Sequence, residues 1–151
     1  MAIVPVGAGP VGVTITPPTA ERAYVSDYGD GTVTVISTAT RTVTASIDVG
    51  SGPWGIAAAP DGQQVYVANY GADTVNVIDT ATNTVSDTVT GMNNPVGLAV
   101  TPDGARVYVA CQGLNGVHVI DTATRAAVGE IAVGAGPRNI AIAPPTGSTS
   151  T

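Results

Sequence analysis

At 151 residues the chain has material for one ordinary domain or for part of a larger one. Apolar residues are 44% of the chain, yet Phe is absent and aromatics are only 4%, so Val, Ile and Ala supply the apolar surface and the chain reads as all-β. The five basic residues are all Arg, scattered along a chain of net charge −6, which argues against nucleic acid and against an anionic membrane surface as partners.

The first strand-like run, residues 2–6, contains Ile3-Val4-Pro5-Val6 and aligns with the later Ile47-Asp48-Val49-Gly50. Gly7-Ala8-Gly9-Pro10 then opens a first unit over residues 7–49. In it Tyr24-Val25, Val33–Ile36 and Ser37-Thr38-Ala39-Thr40 mark strands and turns. A second unit, residues 50–91, repeats these features 42 positions on, as Tyr66-Val67, Val75–Ile78 and Asp79-Thr80-Ala81-Thr82. The third, residues 92–133, repeats them again as Tyr108-Val109, Val117–Ile120 and Asp121-Thr122-Ala123-Thr124. A fixed period of this length is the mark of a repeat architecture.

Inside the second unit, Gly55–Ala59 leads through Asp61-Gly62, a hairpin signal, into Gln64–Ala68. Tyr70–Asp73 turns the chain into Thr74–Ile78, and Asp79–Asn83 turns it into Thr84–Thr90. Val65/Val67 and Val75/Val77 alternate at period 2, as pleated strands require. Four antiparallel strands in about 42 residues make one propeller blade. After the third unit, Gly136-Pro137-Arg138-Asn139 begins another, and residues 138–143 are expected to form one opening strand. Residues 1–143 therefore predict a partial propeller of three full blades with a single strand at each end. Residues 144–151 predict a flexible tail.

These motifs, with Pro-x-Gly-Ile/Leu-Ala (Pro53–Ala57, Pro95–Ala99), Pro-Asp-Gly (Pro60–Gly62, Pro102–Gly104) and Tyr-Val-Ala-Asn (Tyr66–Asn69), resemble the YVTN family of β-propeller repeats. The resemblance covers Ile3 to Ala143. It implies rings of about seven blades, often secreted or on cell surfaces, and a wider group that includes lactonase-like propellers. Met1–Pro5 lacks the features of a signal peptide, and the compartment is left open. The third repeat departs from the pattern, with Cys111-Gln112 in place of Asn69-Tyr70.

A blade is apolar on both faces because each packs on a neighbour. Uncovered end faces would each present on the order of several hundred Å² of apolar surface. The expectation is self-association, most simply a homodimer closing a ring with six full blades.

Motifs of chemical appearance have blander readings. Gly7–Gly12 and Gly50–Gly55 match G-x-G-x-x-G, but a strand follows and Pro interrupts, so they read as turns. His118 is the single His, which leaves no His cluster for a metal, and it reads as a pleat-facing polar residue. Cys111 reads as a structural thiol with no basic partner. Asp61, Asp79, Asp103 and Asp121 read as turn residues bonding their own backbone. No catalytic residue and no cofactor is assigned. The rim loops vary between repeats and carry Trp54, Tyr28, Tyr70, Asn69, Gln112, Arg138 and Asn139. Aromatic, amide and Arg groups there predict a non-catalytic module recognising a glycan, peptide or small molecule. The alternatives are a lactonase-like hydrolase or lyase at the channel mouth, and a purely structural repeat unit.

Overall fold

The computed structural model describes residues 3–144. They form three four-stranded antiparallel sheets, each built from consecutive strands in simple meander order. The first sheet comprises β1 (Pro10–Ile15), β2 (Arg22–Asp27), β3 (Thr32–Ser37) and β4 (Thr42–Asp48). The second comprises β5 (Pro53–Ala58), β6 (Gln64–Asn69), β7 (Thr74–Asp79) and β8 (Thr84–Thr90). The third comprises β9 (Pro95–Val100), β10 (Arg106–Cys111), β11 (Gly116–Asp121) and β12 (Ala126–Ala132). These are propeller blades, and they form an open arc rather than a closed ring.

The repeat residues explain the blade. Gly62 and Gly104 sit at φ 74°, a conformation that costs glycine nothing. The preceding Asp side chains finish the turns, Asp61 accepting from the Gln63 amide at 3.0 Å and Asp103 from that of Ala105 at 2.9 Å. Asp79 and Asp121 do the same for Ala81 and Ala123 at 2.8 and 2.9 Å. Thr-Ala-Thr has a separate task. Its first Thr hydroxyl reaches the neighbouring loop of the same blade, from Thr38 to the Ala20 carbonyl at 2.6 Å and from Thr80 to that of Gly62 at 2.7 Å. Thr122 bonds the Gly104 carbonyl at 2.7 Å. Thr80 is buried, so Thr80→Val should cost about 1 kcal/mol by leaving that carbonyl short of its donor. Chemical denaturation of the variant against the parent measures the loss.

Blades join through the face of one and the opposite face of the next. Tyr24, Val33, Val35 and Ile47 of the first blade meet Val65, Val67 and Ile78 of the second. Tyr66, Val75, Val77 and Val89 of the second meet Leu98, Val107, Val109 and Ile120 of the third. At the inner edge the strands come so close that a side chain would not fit. A Cβ on Gly12 would lie 2.8 Å from the Trp54 carbonyl oxygen, and one on Gly55 would strike that of Val96. This close approach is why the repeat opens Pro-x-Gly. At Gly97 the same test meets the Arg138 carbonyl oxygen at 2.7 Å, so Arg138 lies where a next inner strand would run.

One sequence expectation is corrected here. Residues 3–6 and 138–143 carry no strand. A β-strand exists by pairing, and neither run finds a ladder partner, even though Arg138 and Asn139 lie against Gly97 of β9. Residue 2, and the expected tail apart from Pro144, lie outside the described residues.

Candidate functional site: an aromatic rim and its polar underlayer

Loops following the second strand of each blade, and the residues just after each opening Pro, share one end of the arc. Tyr28, Tyr70 and Gln112 occupy one repeat position; Trp54, Val96 and Arg138 occupy the other. The Trp54 ring stands edge-on to Tyr28, with centroids 5.4 Å apart and planes at 81°. On its other side Tyr70 lies 5.8 Å away at 53°. Edge and tilted contacts of this kind are favourable aromatic geometries. The Tyr70 hydroxyl donates to Gln112 Oε1 at 3.1 Å, which fixes the ring's outer end. Below, the Ser26 hydroxyl donates to the Trp54 carbonyl at 2.6 Å and ties the first blade to the second.

These side chains enclose a recess of about 230 Å³ lined by Tyr28, Trp54, Tyr70, Val96, Gln112 and Arg138. A second hollow of about 350 Å³ shares Trp54, Val96 and Arg138 and continues along the inner strands past Asn139. Its walls include Val13, Ile56 and Leu98, one per inner strand. Period 2 along those strands marks them, whereas variation among the rim loops does not. The structure thus gathers Trp54, Tyr28, Tyr70, Gln112, Arg138 and Asn139 at one mouth. Arg138 is exposed and makes no ion pair among the described residues.

Asn69 is the exception and is corrected. It is fully buried, because the last residue of each second strand points into the blade and not onto the rim. Its Nδ2 donates to Thr74 Oγ1 at 3.1 Å and to Asn76 Oδ1 at 2.7 Å. In the first blade Asp27 occupies the same place and accepts from Thr32 and Thr34 at 3.0 and 2.6 Å. In the third blade these positions hold Cys111 and His118. His118 Nδ1 lies 4.0 Å from Glu130 Oε2, the residue opposite it on β12.

Cys111 is buried, and burial pushes its thiol from the ordinary 9.0 to about 11. A thiol held neutral is neither a nucleophile nor a metal ligand. The native state favours the neutral thiol, so this contribution is complete below pH 9.0 and is lost as pH rises towards about 11. Cys111 should therefore resist alkylation in the native protein at pH near 8 and react fully once unfolded. Mass spectrometry of iodoacetamide-treated protein reads this out. Among the described residues no group of three or more His, Cys, Asp and Glu is arranged to hold a metal ion. The two Gly-rich loops lead into β1 and β5, with Gly9 and Gly52 at φ 66° and 63°; they are turns, and no helix follows to meet a pyrophosphate.

A family model described as YNCE-like beta-propeller matches residues 6–148. Among solved structures, Kuenenia stuttgartiensis hydrazine synthase superposes with a TM-score of 0.84 at 30% identity, over 92% of this chain and 40% of that one. The chain thus spans about two-fifths of that relative's length. No curated protein matches it.

Proposed function

The chain belongs to the YNCE-like β-propeller family, and from that premise we propose that it is a non-catalytic binding scaffold. Self-association closes its arc into a ring, and the loop rim holds a glycan, peptide or small organic ligand. The observation that supports ligand recognition is the wall of Tyr28, Trp54 and Tyr70 over a recess at the channel mouth. Rigid aromatic faces give contact area at little conformational cost and leave hydroxyl and amide groups to fix orientation. Hydrolysis at the same mouth would call for converging acids, His or a metal, and the rim supplies rings, an amide and one guanidinium instead.

Trp54 is the single Trp, so its fluorescence reports the recess directly. Titration with defined oligosaccharides, peptides and aromatic acids should shift or quench it saturably for one of these classes. Trp54→Ala should weaken binding of that ligand at least tenfold by calorimetry, the loss expected of a central aromatic anchor. A parallel lactone-hydrolysis assay showing turnover abolished by rim substitutions would replace this reading with the enzymatic one.

A further inference from the structure

Resting on the self-association proposed above, we propose that a second copy docks head-to-tail. The free face of the third blade receives the free face of the copy's first blade, with Tyr108 set against Arg41 of the second copy. The two faces are the missing halves of a joint the chain already makes twice. On the first blade, Val13 is 64% exposed and Ile36 half-exposed. Ile78 and Ile120, at the repeat position of Ile36, are 0% and 1% exposed between blades. On the third blade, Ile131 is 47% exposed where its counterpart Val89 is 6%. Tyr108 is half-buried where Tyr24 and Tyr66 are sealed. Each face therefore lacks the partner that its counterparts have, and each is the type the other fits.

The polar register of the joint singles out its residues. In the first joint the Tyr24 hydroxyl donates to Asn83 Oδ1 of the next blade at 2.7 Å. In the second, the Tyr66 hydroxyl donates to Gln64 Oε1 of its own blade at 3.0 Å, while Arg125 reaches across the joint to within 4.0 Å of Asp87, close enough for its charge to work against the rise that burial gives the Tyr66 phenol. Asn83 and Arg125 share a repeat position and a left-handed turn, φ 54° and 59°, and Arg41 occupies the same position at φ 58°. Carried one step on, the Tyr of the third blade meets residue 41 of another first blade. Arg41 is exposed and makes no ion pair among the described residues, so its guanidinium is available to the Tyr108 hydroxyl. The faces are different surfaces, so the contact is heterologous and two such contacts close a two-fold ring of six blades.

The chain also carries a stand-in for that copy. The segment 138–143 begins against β9, where the copy's β1 would lie, with the Arg138 carbonyl at Gly97 as the Trp54 carbonyl is at Gly12. Ile140 and Ile142 are its half-buried residues. The segment makes no ladder, so it is a weak competitor that the docking blade displaces. Val11 of the second copy then stands where Arg138 does here, while Tyr28, Trp54, Tyr70 and Gln112 are common to both forms.

Sedimentation equilibrium of the 151-residue chain and its variants tests this. Arg41→Ala and Tyr108→Phe should each weaken association at least about tenfold, the worth of one hydrogen bond to a charged group. Ile140→Ser with Ile142→Ser should strengthen association at least several-fold by loosening the stand-in. Association that appears only in this double variant also supports the joint. A chain that associates with affinity unchanged by all of these substitutions overturns the Tyr108–Arg41 joint and leaves self-association standing. A chain monomeric in every form overturns both, and open-ended growth into filaments overturns the two-copy ring.

Discussion

Ile78→Ala will cost about 2–5 kcal/mol of unfolding free energy, the range for deleting a fully buried aliphatic side chain. Ile36→Ala, the same residue at the same repeat position, will cost at least about 1 kcal/mol less in dilute solution. The difference lies in the packing alone. Ile78 is sealed between the first and second blades, whereas Ile36 looks out from the free face of the first. A smaller cavity opens where less was enclosed. Urea denaturation of both variants at two protein concentrations extends the comparison. The cost of Ile36→Ala should grow with concentration, because a second copy then covers that face. Equal costs at both positions in dilute monomer would mean the first blade's face is already covered within one chain.

Met92→Ala is the second large loss, again about 2–5 kcal/mol, and for a reason the repeat conceals. By count Met92 stands 42 residues after Gly50, at a loop position, yet it is completely buried between the second and third blades. The turn at Gly91 makes this possible. Gly91 takes φ 80°, with nothing near where a Cβ would lie. That conformation swings the following residue inward. The Met92 amide then donates to the Asp73 carbonyl at 3.0 Å, the bond that Val49 makes to Gly31 in the blade before. A long flexible side chain fills the space beside the small Cys111. The polar pair Asn69–Asn76 of the second blade gives way in the third to Cys111 and His118. Thermal denaturation of Met92→Ala checks the magnitude; a change under about 1 kcal/mol would show that the side chain plugs no cavity.

Strand positions and blade order were legible because two signals agree. Period-2 alternation at Val65/Val67 and Val75/Val77 marks pleated strands, and a 42-residue period sets Tyr24, Tyr66 and Tyr108 at one place in each blade. The rim was partly legible, since loop residues that vary against a constant frame stand out, as Trp54 does beside Val11 and Val96. Asn69 misled because a residue at a strand's end borders the loop in sequence while its side chain turns inward, and sequence does not carry that angle. Met92 and the Thr80–Gly62 tie were invisible for a related reason. Each depends on which loop lies beside which in space, and counting along the chain treats them as ordinary turn residues. The unpaired run 138–143 shows the converse limit: its composition is that of a strand, but pairing is a property of its neighbours.

The mass of the purified chain by light scattering, followed over a rising concentration series, addresses the ring most directly. The mass should shift from 14.9 kDa to twice that value and reach a plateau there, as two heterologous contacts shut the circle. A single species holding at 14.9 kDa up to concentrations well above micromolar would contradict it, because the exposed flanks of the first and third blades would then need no cover.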